Sequence, residues 1–279
     1  MKISGFTIVR NAVKFNYPAL ASIRSILPIC DEFIVNVGDS EDATLELIRS
    51  IASPKVRIIE NRWDMGKGSQ VLSEQTNLAL KECSGDWAFY LQSDEVIHEA
   101  DLYKLKLRMY HCLERKDVDA LRFKWFHFYG SFWRYRIDSG WYQKQDRIIR
   151  NNGQIVSCGD AFNFGRCDGA PLRAHPSGCF LYHYGWVNSK EDMHKRCANA
   201  AAIGFADAGK NSSMTQGYGN LGRFPAYFGT HPAVMKEIVE GHRLSREDFA
   251  AIRRSSWWNP FFWMRLRHKT GRRIKERII

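Results

Sequence analysis

The sequence predicts an α/β fold with a mostly parallel central sheet, and three observations support this prediction. Strand-like and helix-like patterns alternate through the first 91 residues, which is typical of βαβ units in a parallel sheet. Short polar segments follow the strand-like runs. The chain has 279 residues, 44% of them hydrophobic, which is enough for the core of one large domain with an appendage.

Four predicted strands and three predicted helices make up the first 91 residues. The strands are apolar runs rich in β-branched or aromatic residues: 3–9, 32–37, 55–60 and 86–91. Apolar residues at helical spacing predict helices between them, with Pro18 suited to a first turn: 17–30, 43–52 and 69–83.

Beyond residue 100 the alternation weakens. We predict a helix over 101–116, an aromatic-rich strand over 118–130 and an Ala-rich helix over 191–208. The segment "GKNSSMTQGYGNLGRF" (209–224) is polar and Gly-rich, as mobile lids often are. We therefore expect one domain over 1–240, followed by a helical tail over 241–279.

The tail carries most of the positive charge. The whole chain has a net charge of +11, and residues 251–279 alone, with nine Lys/Arg and one Glu, contribute +8. Five aromatic residues stand beside them: Trp257, Trp258, Phe261, Phe262 and Trp263. This basic aromatic composition suits an anionic membrane surface. A helix packed on its own domain and a nucleic-acid contact are the alternatives.

The remaining composition favours a cytoplasmic protein, peripheral on the inner face of the membrane if the tail binds lipid. The first residues, "MKISGFTIVRNAVKF", lack the apolar run of a signal peptide. No apolar run approaches the roughly 18 residues of a membrane-spanning helix. The seven cysteines are scattered without CxxC spacing, which predicts neither a zinc site nor a disulfide framework.

The polar loops after the predicted strands are expected to form a ligand site. Parallel sheets bind ligands outside the carboxyl ends of their strands. Four polar segments follow the strands: Arg10–Asn11, Asp39–Asp42, Asn61–Asp64 and Gln92–Glu95. A single acidic loop could merely close a strand, but four converging loops favour a binding site.

The motifs at these positions resemble those of glycosyltransferase family 2, whose members are inverting enzymes with a GT-A fold. The resemblance covers about residues 3–205 and rests on these segments: "GFTIVRNA", "ICDEFIVNVGDSEDAT", "QTNLALKECSGDWAFYLQSDE", "DRIIRNNGQIVSCGDAFNFGR" and "LYHYGWV". It implies a GT-A (Rossmann-like) nucleotide-binding fold, with a nucleotide-sugar donor half over 1–98 and an acceptor half over 99–240.

The resemblance also implies a set of donor-binding residues and a divalent metal, Mn²⁺ or Mg²⁺. The implied donor contacts are Arg10, Asn11, Asp39, Asp42, Trp63, Asn77, Gln92 and Asp94. The implied metal ligands are Asp94, Glu95 and His183. A divalent cation neutralises the charge that grows on a leaving diphosphate, and it prefers hard oxygen ligands. A core position is the alternative for His183.

Two departures from the family pattern bear on these roles. Gln92 stands where the family usually has the first Asp of Asp-x-Asp. Its amide could still hydrogen-bond a ribose hydroxyl, but because the amide is neutral the site would bind a metal ion less tightly than one with Asp at this position. In "VNVGDSEDAT" the usual acidic residue is shifted. Asp39 and Asp42 are therefore predicted either to contact the donor or to cap the following helix.

An inverting transfer needs a general base for the acceptor hydroxyl. The resemblance places Asp160, in "SCGDAFNFG", on the acceptor side, so we predict that it is this base; an Asp that closes a turn is the alternative. Trp141, Tyr142 and Arg147 are predicted acceptor contacts, since aromatic faces stack on sugar rings, although core packing would also explain Trp141.

The resemblance thus implies a metal-dependent, inverting glycosyltransferase that uses a nucleotide-diphosphate sugar. Its acceptor would be a glycan or a lipid-linked molecule, as in cell-surface polysaccharide or lipopolysaccharide assembly. A nucleotidyltransferase acting on sugar phosphates would share the sheet and the metal carboxylate, but "VRNAVKFNYP" lacks the expected glycine-rich phosphate loop. An adaptor that binds membrane or nucleic acid through the tail is a further alternative, and it leaves the four polar loops without a role.

Overall fold

The computed structural model describes residues 1–137, 141, 143–204, 218 and 221–242. In these residues the strands are β1 (Ile3–Val9), β2 (Glu32–Gly38), β3 (Val56–Asn61), β4 (Trp87–Tyr90), β5 (Glu95–Ile97), β6 (Ala120–Tyr129), β7 (Tyr135–Arg136), β8 (Lys144–Arg150), β9 (Ile155–Cys158), β10 (Asn163–Arg166) and β11 (Ala174–Trp186). The helices are α1 (Ala19–Ile26), α2 (Thr44–Arg49), α3 (Gln70–Lys81), α4 (Glu99–Cys112), α5 (Lys190–Ala202) and α6 (Lys236–Gly241). The α/β prediction is confirmed.

One large sheet organises the described chain, in the order β3-β2-β1-β4-β8-β6-β11-β5, with β7 paired to β6. Strands β1 to β4 pair in parallel, as the alternating pattern predicts. β8 enters antiparallel between β4 and β6, whereas β6 and β11 are parallel. The short strand β5 pairs antiparallel with β11. This pairing brings the turn that follows β4 next to the end of β11.

Alternate residues of the central strands face opposite layers, as the pleat requires. Phe33 and Phe89 pack with α1 and α4 on one face of the sheet. Phe6, Ile34 and Tyr90 pack with α3 on the other face. Both faces are covered, which explains why these strands read as continuous apolar runs rather than alternating ones.

A third cluster, made of aromatic side chains, attaches residues 221–242 to the sheet. Phe128 of β6 and Tyr184 of β11 stack with ring centroids 5.0 Å apart. Tyr227 and Met235 pack in the same cluster, as does Val239 of α6. These contacts make the segment before residue 243 an integral part of the sheet's core.

Two predicted segments lie wholly or mostly outside the described residues: the basic aromatic tail from residue 243 on, and most of the predicted lid. Within the described part of the chain, no helix has both the length and the hydropathy to cross a membrane. All seven cysteines are free, and Cys30, Cys83, Cys112 and Cys179 are buried.

Candidate functional site

An open cleft of about 230 Å³ lies at the carboxyl ends of β1 and β4, at the edge of the parallel sheet where a ligand is expected. Five residues predicted from the sequence line it: Arg10, Trp63, Gln92, Asp94 and Asp160. The parallel pairing of β1 with β4 brings the first two loops together. Residues of the turn after β9 and of the helix α5 complete its lining.

Asp94 lies in the turn between β4 and β5 and faces the end of β11. Its backbone carbonyl accepts a hydrogen bond from the Tyr184 N–H at 2.8 Å. Its Oδ2 lies 3.6 Å from Nε2 of the buried His183. The sequence prediction therefore paired two residues that the fold does bring together, although they are 89 positions apart.

Gly185 keeps a small space open beside these two side chains. A Cβ atom added at this glycine would lie 2.5 Å from Asp94 Oδ2 and 2.7 Å from His183 Nε2. Any larger residue would therefore fill the point on which the carboxylate oxygen and the imidazole nitrogen converge. A glycine here preserves a gap between two potential ligand atoms.

The carboxylate of Asp94 is kept ionised by its surroundings. Burial by itself would raise its pKa, but the charges of His183 and Arg196 and the hydrogen bond from His183 outweigh that effect. The pKa of Asp94 is consequently lowered from its ordinary value. A carboxylate that stays charged at neutral pH suits a site for a cation.

Glu95, the second predicted carboxylate, has a different environment from Asp94. It is fully buried, and Arg147 Nε and Nη2 donate to its two oxygens, each at 2.8 Å. Its Oε2 also accepts from the Gln92 N–H at 3.0 Å. These bonds argue against Glu95 as a metal ligand and against Arg147 as an acceptor contact, because neither group faces the cleft. Together they hold the turn that presents Asp94.

Replacing Arg147 by methionine should lower the free energy of unfolding by about 3–5 kcal/mol, because it leaves the Glu95 carboxylate buried without its partner. The measurement is chemical denaturation followed by circular dichroism. Arg115→Met, at an exposed ion pair with Asp117, is the matched control and should change stability much less.

The double variant Glu95→Met/Arg147→Met should recover part of this loss, since both charges are then removed. An Arg147→Met protein as stable as the wild type would contradict the structural role of the pair.

Asp160 lies in a turn with unusual backbone geometry. Its neighbours Gly159 and Ala161 both have φ of +61°, a left-handed conformation that costs a residue with a Cβ about 1–3 kcal/mol. The Asp160 side chain is half-buried, and its Oδ1 accepts from the Phe162 N–H at 3.3 Å. The strained Ala161 also lines the cleft, so the turn directs Asp160 to the site at an energetic cost.

The ends of β1, β2 and β3 form one corner of the site. Arg10 Nε donates to the Asp39 carbonyl at 3.2 Å, and the Asp39 carboxylate accepts from the Trp63 N–H at 3.1 Å. The indole Nε1 of Trp63 is buried without a hydrogen-bond partner in the described part of the chain. This corner offers a ligand a guanidinium and an exposed carboxylate.

Gln92 lines the cleft and also contacts the turn of Asp160. Its side-chain amide donates to the carbonyl of Ala161 at 3.4 Å, so it links the turn after β4 to the turn of Asp160. The long distance makes this a weak bond. The amide therefore remains a candidate for a donor hydroxyl.

Three other predicted donor contacts hold the protein's own loops together instead. The Asn11 Oδ1 accepts from the Glu41 N–H at 2.8 Å, and Asp42 accepts from the N–H groups of Lys14 and Thr44. The Asn77 amide exchanges two hydrogen bonds with the backbone of Ser157, at 3.0 and 2.7 Å. These bonds argue against donor contacts by the three side chains, and Asp42 instead bonds the N–H of Thr44, the first residue of α2.

Trp141, a predicted acceptor contact, packs in an aromatic group beside the cleft rather than lining it. Its ring lies 5.1 Å from the rings of both His127 and Trp186, with the Arg136 guanidinium 4.6 Å from its centroid. This favours the packing alternative. The neighbouring prediction, Tyr142, lies outside the described residues.

Sequence reasoning missed Arg196 and Tyr17, which both line the cleft. Arg196 is buried and donates to the carbonyls of Phe15, Asn16 and Gly185, each at 2.6 Å. Its guanidinium lies 4.0 Å from the centroid of Tyr17. No local signal distinguishes this arginine in its Ala-rich helix. Gly185, by contrast, could have been found, because it belongs to the motif "LYHYGWV".

The residues present fit a divalent cation bound together with a substrate. Among the described residues, no group of three or more His, Cys, Asp or Glu side chains could hold a metal ion alone. Asp94 and His183 nevertheless offer an oxygen and a nitrogen ligand beside the space kept by Gly185. One or two protein ligands suffice when substrate phosphates and water complete the coordination.

Comparison with known proteins identifies the family. The profile described as glycosyl transferase family 2 matches residues 6–167, which is more than half of the chain. The chain therefore belongs to glycosyltransferase family 2, and the α/β architecture with its cleft at the strand ends is the GT-A fold predicted from the sequence. No curated protein sequence matches the chain.

Solved structures of glycosyltransferases are similar to the chain at low identity. S. aureus TarS aligns over 72% of this chain and 39% of that chain, with 16% identity and a TM-score of 0.44. TarS 1–349 in complex with UDP-GlcNAc aligns over 79% of this chain and 72% of that chain, with 16% identity and a TM-score of 0.43. Glucosyl-3-phosphoglycerate synthase from Mycobacterium tuberculosis, in complex with Mn²⁺, UDP-glucose and phosphoglyceric acid, aligns over 45% of this chain and 44% of that chain. The identity is 23% and the TM-score is 0.31. The chain thus spans well under half the length of the first TarS structure.

Proposed function

We propose that the protein transfers a sugar from a nucleotide-diphosphate sugar to a glycan or lipid-linked acceptor, with inversion at the anomeric carbon and with Mn²⁺ or Mg²⁺ as cofactor. The observation that carries this proposal is the cleft itself. Asp94 and Asp160 both line this cleft at the strand ends. Asp94 is kept ionised beside His183, and Asp160 lies in a strained turn.

The proposed donor site runs from the Arg10–Asp39–Trp63 corner to Asp94. The corner would receive the nucleoside, because its guanidinium and its exposed carboxylate suit a base and a ribose. Asp94 and His183 would hold the metal, which supplies positive charge to the diphosphate as it leaves. Arg196 adds a fixed positive charge to the same cleft, and it ties the loop after β1, through the carbonyls of Phe15 and Asn16, to the end of β11 at Gly185.

Asp160 is the proposed general base. It stands on the turn after β9 and lines the cleft, and it would accept the proton of the acceptor hydroxyl during attack on the anomeric carbon. Direct displacement needs this base on the face opposite the leaving diphosphate. Residues 1–98 are accordingly the proposed donor half, and 99–240 the proposed acceptor half.

The finer biological role is also a proposal. A lipid-linked or glycan acceptor suits an enzyme of cell-surface polysaccharide or lipopolysaccharide assembly on the inner face of the cytoplasmic membrane. The +8 charge and five clustered aromatic residues of 251–279 support peripheral attachment to anionic lipids.

The test is incubation of the full-length protein with UDP-, GDP-, dTDP- and CMP-sugars and Mn²⁺, followed by analysis of the products. We expect the protein to hydrolyse or transfer the sugar of one donor and to release its nucleotide. NMR should show that the anomeric configuration of the sugar product is inverted relative to the donor. Formation of pyrophosphate from a nucleoside triphosphate and a sugar phosphate would instead identify a nucleotidyltransferase.

Gly185→Ala provides the matched inactive variant. Its methyl group would enter the space between Asp94 and His183, so Mn²⁺ binding by calorimetry and donor turnover should both be lost. Gly241→Ala, whose added methyl meets open space, should behave like the wild type. A Gly185→Ala protein with normal Mn²⁺-dependent turnover would contradict the proposed metal position.

A further inference from the structure

His127 and His183 form a buried pair whose role sequence reasoning did not foresee. They are direct neighbours in the parallel ladder of β6 and β11, and only 2% and 7% of their surfaces are exposed. Their Nδ1 atoms lie 3.1 Å apart, which is hydrogen-bond distance. His127 belongs to none of the motifs that the family resemblance rests on.

A hydrogen bond between two Nδ1 atoms requires a proton on one of them. A neutral imidazole carries one N–H and leaves its other nitrogen as an acceptor. If His127 donates, the neutral His183 must carry its own proton on Nε2, the nitrogen that faces Asp94. If His183 donates from Nδ1, its Nε2 is a free lone pair. A doubly protonated His183 would also donate from Nδ1, so His127 is the acceptor in that case too.

We propose that His127 is a positioning residue that accepts the Nδ1 proton of His183 and thereby leaves Nε2 of His183, the nitrogen that faces Asp94 and the space beside Gly185, as the atom that binds the cation. This assignment rests on the proposed function, because only a cation at that place needs the lone pair. An acceptor for the second ring nitrogen fixes both the tautomer and the orientation of a ligating histidine.

The neighbouring rings hold this arrangement in place. The ring of Trp125 lies 4.3 Å from that of His127 and 5.0 Å from that of His183. Trp141 packs edge-on against His127 at 5.1 Å. These ring contacts help to orient both imidazoles, and the Nδ1 bond sets the tautomer.

Two variants of His127 separate positioning from packing. His127→Asn offers an amide oxygen close to the position of Nδ1 and can still accept from His183, whereas His127→Leu cannot. Measured by electron paramagnetic resonance of free Mn²⁺ in the presence of UDP, the Leu variant should bind Mn²⁺ about 10–100-fold more weakly than wild type. The Asn variant should retain most of the affinity. Equal affinity of wild type and the Leu variant would overturn the proposal.

A second measurement needs neither a variant nor the metal. The imidazole ¹⁵N shifts of the metal-free protein should show a protonated Nδ1 on His183 and an unprotonated Nδ1 on His127. The reverse pattern would overturn the assignment even if His127→Leu fails to fold. A wild-type protein that binds no Mn²⁺ with any nucleotide would refute the proposed metal site, and the tautomer assignment would then be decided by the ¹⁵N shifts alone.

Discussion

Replacing Asp94 by asparagine should reduce Mn²⁺-dependent turnover by about 10²–10³-fold or more, the usual cost of removing a preorganised group that stabilises charge in a transition state. The variant should keep its fold, because asparagine has the same shape and the backbone carbonyl that bonds the Tyr184 N–H is unchanged. What is lost is the negative charge beside His183. Turnover with the donor found in the product screen, together with Mn²⁺ titration, measures both effects.

Asp117→Asn removes a carboxylate in the loop after α4, at an exposed ion pair with Arg115, and should leave turnover unchanged. Gln92→Asp adds a carboxylate on the same turn as Asp94 and should be tolerated, with Mn²⁺ bound at least as tightly. An Asp94→Asn enzyme with near-normal activity that is still sensitive to chelators would exclude Asp94 as the metal ligand.

Replacing Asp160 by asparagine should lower the rate of transfer by about 10²–10⁴-fold, the contribution of a positioned general base, while donor affinity stays close to that of the wild type. The amide cannot take the acceptor proton, but it can still accept the Phe162 N–H bond that shapes the turn. Single-turnover kinetics with saturating donor, combined with a donor titration, separates the chemical step from binding.

Asp168→Asn is a suitable control for Asp160→Asn, because Asp168 lies after β10 on the same hairpin and is exposed in an ion pair with Arg166. It should transfer at the wild-type rate. A product with retained anomeric configuration, or an Asp160→Asn enzyme that transfers normally, would refute the role of Asp160 as the inverting base.

Local pattern in the sequence was sufficient for the first half of the fold. The predicted strand 3–9 coincides with β1, Ile3–Val9, and β2, β3 and β4 differ from prediction by at most one residue at either end. A buried parallel strand is a short apolar run bounded by polar turns, and such a run can be recognised from its own residues. The end of the helix predicted over 17–30 is less accurate, since α1 gives way to a 3₁₀ turn at Leu27, next to Pro28.

The order of the later strands could not be read in the same way. β8 pairs antiparallel with both β4 and β6, and β5 pairs with β11 across 84 or more positions. Pairings of this kind join residues far apart in the chain, and the neighbours of a residue in sequence carry little information about them.

By itself, the sequence determined the α/β class, the four strands of the parallel half and the place of the site at their carboxyl ends. It also singled out Asp94, His183 and Asp160 through short motifs. Only the tertiary structure decided which polar side chains are available to a ligand. Glu95 adjoins Asp94 in sequence, yet Arg147, 52 positions away, binds its carboxylate in the core. Asn77 bonds Ser157, and Arg196 reaches the cleft from α5, more than 90 positions after Asp94. The physical reason is that a residue's backbone conformation follows from its neighbours, whereas its chemical role follows from the distant groups that the fold brings into contact with it.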